Sequence, residues 1–359
     1  MAVSTNTGAV AGVVAAAAIV VAVVTGGCGG SARHASTSGR GSGTIGGAGA
    51  AVPAQLIAAW SNAFHARTGV TVSYDPVGSG DGIAQATSAV ADFGVSEVPL
   101  NDVERAAAMS KKTPLLEVPV ARAALAVVYN VPGVGSGLRL DGSTLAGLFS
   151  GSITRWDSSA IRRLNPGVRL PPTAVTVVHR ADSSGATFTF TAFLSRGSRR
   201  WARTVGAGKV VRWPTGMAVT AHAGLPRAVA GHQGAPDSGP AQAVAARPGA
   251  VSYVGLAAAR RAGLSSASLP AGSRFEAPAA TGAYPLAGPV YFLAFQDPCR
   301  AHEGTDVAQR LRRWLTFVTG AGQSLATAPA SAPLSPSSSA AARARIRSMR
   351  CDGKPIAAS

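Results

Sequence analysis

Charge is scarce in this sequence, and acidic charge scarcest of all. Only 14% of the 359 residues are charged, with Asp and Glu numbering 16 against 33 Lys and Arg. Aromatic residues reach 6%, too sparse for the stacking platforms that single-stranded nucleic acid requires. Three cysteines cannot build a disulfide framework, although they allow one bridge with one thiol left over. Long apolar runs are missing except from Ala9 to Val24. Heptads and a Gly-X-Y period are also absent, which excludes a coiled coil and a collagen-like rod.

Enzyme signatures are missing too. Gly208-Lys209 is followed by Val210, so there is no phosphate-binding P-loop, and Gly78 to Gly82 reads G-x-G-x-G rather than the dinucleotide fingerprint. The hydrolase elbow G-x-S-x-G does not occur. The six histidines fall at no metal-ligand spacing. The chain is therefore read as a non-enzyme that carries neither metal nor cofactor.

What is present is apolar and loop-rich. Hydrophobic residues make up 47%, enough for packed cores, and 43 Gly with 23 Pro indicate many turns. The length suits two domains. A net charge of +17 points to an anionic partner: nucleic acid, an acidic membrane surface or a small anion. Sparse aromatics and signs of export argue against nucleic acid.

Those signs lie at the N-terminus. The run Ala9–Val24 carries no charge and is shorter than the roughly 20 residues of a spanning helix. It fits the apolar region of a signal peptide over residues 1–27. Thr25-Gly26-Gly27-Cys28 looks like a lipoprotein cleavage site, which would make Cys28 a lipidated N-terminus on the outer face of the cell membrane. The alternative is an uncleaved signal anchor. Residues 28–43, rich in Gly, Ser and Arg, read as a flexible tether. In an exported chain Cys299 and Cys351 are candidates for a disulfide, the alternative being two buried free thiols.

Strands then alternate with helices, the pattern of an α/β fold. Thr44 opens a strand running into a glycine-rich turn at Gly46–Gly49. Pro53 opens a helix bearing Leu56, Ile57, Trp60 and Phe64 at helical spacing, which Gly69 ends. Val70–Tyr74 alternates as a strand. Gly78–Gly82 precedes a helix with Ile83 and Val90, and Phe93–Ser96 is a buried strand ending in Glu97. The same strand–turn–helix unit recurs at Val175–Val178, Arg180–Gly185 and a helix with Phe188, Phe190 and Phe193. Val118–Val128 and Val290–Phe295 are placed as crossings between two lobes, with Val307–Val318 the last helix. The lobe limits expected are 44–118 with 290–359, and 119–289, with strand ends facing a cleft. Three glycine- and serine-rich turns at helix starts, one carrying Arg180, suit a bound oxyanion.

Several segments in order resemble the phosphate-binding protein family of Pst ABC transporters. They include Gly47-Ala48-Gly49-Ala50, Gly78-Ser79-Gly80, Asp92-Phe93-Gly94-Val95-Ser96 and Phe149 to Trp156. Leu164 to Gly167, Val177 to Gly185, Val211 to Gly216 and Pro248 to Val254 complete the likeness, which extends to Gly353-Lys354-Pro355. The resemblance implies a type II-like, two-lobed periplasmic-binding-protein fold closing on inorganic phosphate in its cleft and delivering it to a membrane permease. It implies ligand contacts from the backbone of Ala51 and Val52, from Ser79, Glu97, Arg180, Ser184 and Gly185, and from the backbone of Ala186. Asp182 would orient Arg180.

The sequence departs from the family where Ala51 and Ala186 replace hydroxyl-bearing residues and where Glu97 replaces an aspartate. In the family that carboxylate accepts the proton of bound phosphate and thereby repels fully ionised sulfate. Two lost hydrogen bonds to a charged group amount to about 3–6 kcal/mol, or roughly two to four powers of ten in affinity. The competing expectation is accordingly a degenerate relative serving as an oxyanion sensor or cell-envelope interaction module.

Overall fold

The computed structural model describes residues 43–221, 237–301, 304–327 and 329–356. The signal peptide, Cys28 and all but the last residue of the tether lie outside the described residues. No described helix is long and apolar enough to cross a membrane.

The chain opens with β1 (Thr44–Gly49), α1 (Ala54–Thr68), β2 (Thr71–Asp75), α2 (Ser79–Thr87), β3 (Phe93–Ser96) and α3 (Asp102–Ala108). A 16-residue β4 (Leu115–Asn130) leads to α4 (Gly142–Phe149), α5 (Ser159–Leu164), β5 (Thr176–Arg180), α6 (Gly185–Gly197) and α7 (Arg199–Thr204). Then come β6 (Met217–Val219), α8 (Ser238–Ala245), β7 (Ala250–Gly255) and α9 (Leu256–Arg261). Short strands β8 (Ser265–Ser266), β9 (Leu269–Ala271) and β10 (Arg274–Glu276) precede β11 (Ala287–Phe295). The chain finishes with α10 (Gly304–Val318), β12 (Ser331–Ala332), α11 (Pro336–Arg347) and the pair β13 (Arg350–Cys351) and β14 (Lys354–Pro355).

Local chemistry accounts for the element limits near the site. In α1 the residues Leu56, Ile57, Trp60 and Phe64 are all buried, and Gly69 ends the helix at φ 69° with its N–H on the His65 carbonyl. A capping box of Asn101 and Glu104 starts α3, and the Ser184 side chain caps α6 through the Ala186 N–H. Gly46–Gly49 belongs to β1 rather than to a turn. The reason is close approach: a Cβ on Gly47 would lie 2.1 Å from the Phe93 ring, its partner in register. Likewise α2 already begins at Ser79 and stops at Thr87, leaving Val90 exposed, and α11 follows the helix expected to be last.

The main sheet runs β2-β1-β3-β11-β4-β7-β5-β6, with β12 and β8 also pairing to β4. β1 pairs in parallel with β2 and β3, and β5 with β6 and β7. Between these two parallel groups lie β11 and β4, antiparallel to each other and to their outer neighbours. Their register shifts between Val290 and Tyr291, opposite Pro119, a residue without an N–H to donate.

Each parallel group has its own core. One gathers Trp60, Phe64, Phe93, Phe292 and Trp314, with Phe93 and Phe292 stacked at 5.2 Å. The other gathers Phe149, Trp156, Phe190, Trp201 and Tyr253, with Phe190 and Tyr253 stacked at 4.4 Å. β4 serves both: Val118, Val120 and Ala121 lie in the first core, Leu125, Val127 and Tyr129 in the second. Cys299 and Cys351 form a disulfide with Cα atoms 5.0 Å apart, tying the segment after β11 to β13.

Candidate functional site

Arg180 is the last residue of β5, held in the strand rather than in a loose turn. Its guanidinium is almost wholly buried, with 1% side-chain exposure. Nε donates to Asp182 Oδ1 at 2.7 Å, Nη2 donates to Asp182 Oδ2, and Nη1 donates to Asp237 Oδ1 at 2.7 Å. These bonds occupy three of the five guanidinium N–H donors. Burial alone would lower the arginine's pKa, but Asp237 and Asp182 outweigh it and push the pKa above its ordinary value. The backbone N–H of Arg180 donates to the Tyr253 hydroxyl at 3.3 Å, which also bonds Thr187 Oγ1 at 2.7 Å. The cation is thus fixed from the side, from below and through its main chain.

Sequence reasoning missed Asp237. It lies 57 residues from Arg180, in no motif, just before α8. Its φ of 60° is left-handed, a conformation Asp tolerates better than most residues. Besides Arg180 it accepts the Gly255 N–H at 2.5 Å. A strained aspartate bonded to both a buried cation and a strand end is a recognisable functional signal only once the fold is known.

The other candidates converge on this cation from both cores. Gly78, Ser79 and Gly80 at the start of α2 press directly on the turn after β5. Gly80 N–H donates to the Ser183 carbonyl at 2.9 Å, and a Cβ on Gly78 would lie 2.7 Å from Asp182 Oδ2. A Cβ on Gly185 would lie 2.6 Å from Ser79 Oγ and 3.2 Å from Glu97 Oε2, so Ser79 and Glu97 meet the first residue of α6. Ser184 and Ala186 are buried beside it, and Ser184 Oγ accepts the Ala186 N–H at 3.1 Å. Ala51 and Val52 are buried, and Val52 Cγ1 lies 3.1 Å from a Cβ position on Gly255, beside Asp237. Among the described residues their backbone N–H groups donate to no partner. The structure therefore brings Ser79, Glu97, Ser184, Gly185 and Ala186 together at the start of α6, beside the turn that carries Arg180 and Asp182, and links Val52 to Asp237 through Gly255.

Glu97 differs most from its expected role. It is partly buried, and its pKa is pushed up to about 8. Burial is the main cause, Arg180 opposes it, Asp237 adds to it, the Ala186 N–H opposes it, and Asp182 adds again. At neutral pH most of this carboxyl therefore carries its proton and can donate a hydrogen bond, where an ionised aspartate would only accept one. With Glu97 neutral, Arg180, Asp182 and Asp237 sum to one negative formal charge. Attraction for an anion must then come from N–H dipoles and the start of α6 rather than from net charge.

Two further contacts join the same surfaces. Lys209 Nζ bonds Glu104 on α3, and the Lys209 carbonyl accepts the Ser184 N–H at 2.9 Å. Cys299, Cys351 and Asp352 cluster closely among the described residues, but the two sulfurs are bonded to each other and offer no thiolate.

A family profile for the PBP superfamily domain matches residues 34–321. The phosphate-binding protein PstS of Pasteurella multocida is 41% identical over 175 residues, covering 48% of this chain and 49% of its own length. The protein of the same name from Xylella fastidiosa is 42% identical over 174 residues, covering 48% and 46%. The chain thus spans about half the length of the curated relatives it matches. Among solved structures, a high affinity periplasmic phosphate-binding protein (PfluDING) bound with phosphate superposes with TM-score 0.64 at 22% identity, covering 84% of this chain and 93% of that one. A phosphate-binding protein from Stenotrophomonas maltophilia gives 0.61 at 21%, covering 84% and 93%. The fold is the two-lobed α/β fold of these binding proteins, and by its sequence the chain belongs to the PBP superfamily.

Proposed function

We propose that this chain is the extracytoplasmic substrate-binding component of an ABC importer, taking inorganic phosphate and passing it to a membrane permease. The observation that carries this reading is Arg180, buried and fixed by two aspartates where the starts of α2 and α6 meet. Its remaining N–H donors, Ser79, and the backbone N–H groups of Ala51, Val52, Gly185 and Ala186 supply the contacts to phosphate oxygens, with Ser184 at the rim of the same turn. A planar guanidinium matches two oxyanion oxygens in a way that Lys would not. The names of the relatives and the ordered motifs support phosphate over other oxyanions.

The lobes in this reading are 44–118 with 290–359, and 119–289, and they open and close about the β4–β11 pair. Residues 1–27 serve as export signal, and Cys28 as the lipid-anchored N-terminus on the outer face of the membrane. The role is binding and delivery, without catalysis. Isothermal titration with phosphate tests it: saturable heat together with thermal stabilisation supports the assignment. Absence of both at millimolar phosphate overturns it in favour of an envelope interaction module. Weak binding of phosphate and sulfate alike points to a general oxyanion sensor.

A further inference from the structure

Glu97 and the proposed ligand are assigned the same place. The carboxyl leaves the end of β3, in the first core's half of the chain, and reaches the beginning of α6 in the other half. There Oε2 lies 3.2 Å from a Cβ position on Gly185, whose neighbour on the same side is Ser79 Oγ, and Ser79 Oγ also accepts the Glu97 N–H at 3.4 Å. The next N–H of the helix, that of Ala186, donates to Ser184 Oγ. A carboxyl oxygen and an anion oxygen cannot both occupy the space in front of the first N–H groups of α6.

We infer that Glu97 is an internal ligand of this anion site: its carboxyl bridges the two halves at the Gly185–Ala186 end of α6 and competes there with incoming phosphate. The inference rests on the anion-site reading of these residues. Side-chain length is what permits the bridge, since an aspartate at this place would hold its oxygens one methylene, over ~1 Å, further back. The groups that face the carboxyl are Arg180, Asp182 and Asp237 from the turn side and Tyr74 from β2. Among them Arg180 favours the ionised carboxylate, whereas Asp182 and Asp237 oppose it. Ligand entry then requires the side chain to withdraw, which sets a concentration below which the site holds its own carboxyl instead of phosphate.

The test compares the full chain with Glu97→Asp and Glu97→Ala. Hydrogen exchange in phosphate-free buffer reads the peptide spanning residues 183–190, and titration reads phosphate affinity. The expected result is faster exchange in both variants and, for Glu97→Asp, an affinity at least about tenfold higher than wild type, the worth of about one hydrogen bond. Unchanged exchange, or an aspartate variant that binds phosphate no better than a binding-competent wild type, overturns the inference. Faster exchange in the variants with no phosphate binding by any of the three supports the internal bridge and overturns the phosphate reading instead.

Discussion

At the scale of single residues, the site is a buried cation held between two aspartates, only one of which lies in a readable motif. Arg180 and Asp182 sit two apart in Val177 to Gly185, so one stretch of sequence exposes both. Asp237 leaves no such trace, because its partners are the distant Arg180 and Gly255 and its own neighbourhood has no periodic pattern. Asp237→Ala should leave part of a buried charge unpaired and lower stability by about 3–5 kcal/mol in chemical denaturation. A loss under 1 kcal/mol would mean that Asp182 alone compensates the guanidinium.

Glu97 gives a pH-dependent prediction at the same scale. Its pKa is raised in the folded chain from 4.5 to about 8, so the native state holds this proton more tightly than the unfolded one. The stabilising contribution is complete below about pH 4.5 and is lost as pH rises through 8. Replacing the group by Gln removes this term. The difference in Tm between Glu97→Gln and wild type should therefore shift in favour of the variant as pH rises from 4.5 to 9. A difference that stays constant across that range would show that the carboxyl is ionised throughout.

Among elements, glycine decides where strands and helices come together. The helical spacing of Leu56, Ile57, Trp60 and Phe64 reveals α1 because all four face one core. The run Gly46–Gly49 reads as a turn by composition, yet it is a strand, since what glycine supplies there is room for the Phe93 ring and the Val95 backbone. No local pattern distinguishes room from flexibility. α11 escaped notice for a related reason: of its 12 residues only Ala342 and Ile346 are buried, too few to mark a face. Gly47→Ala should accordingly destabilise the fold by several kcal/mol, as overpacking beneath a core aromatic does; a near-wild-type midpoint in urea would show that Phe93 moves aside freely.

Gly80 tests the meeting of α2 and the β5–α6 turn. A Cβ there would lie 1.9 Å from Ser183 Oγ and 2.5 Å from its Cβ, while the helix itself would tolerate alanine. Gly80→Ala should weaken phosphate binding by about tenfold or more, some 1.4 kcal/mol. Stability should fall as well, by about 1–3 kcal/mol, since Ser183 must shift to make room for the added methyl group. Lost stability with intact affinity would place the contact in folding rather than in ligand capture.

Across the whole molecule, an excess of +17 says little about where an anion binds. The site itself is close to neutral or negative in formal charge, so the proposed attraction for an anion rests on oriented N–H groups around one guanidinium. The alternation of strand and helix was enough to indicate an α/β chain, and the ordered motifs to indicate a cleft between lobes. The long β4 shared by two cores was visible only as an apolar run, because a strand buried on both faces loses its alternation. The Cys299–Cys351 disulfide closes a segment with a sequence separation of 52. On loop entropy, reducing it should lower stability by about 4 kcal/mol, read as a drop in Tm with dithiothreitol. An unchanged Tm in fully reduced protein would show that α10 and α11 hold the terminus unaided.

A crystal structure grown in phosphate tests the central claim most directly. The account predicts a tetrahedral anion within hydrogen-bonding distance of Arg180, Ser79 and the first N–H groups of α6, with the Glu97 carboxyl displaced from Gly185. An undisplaced Glu97 with phosphate bound only elsewhere would contradict it.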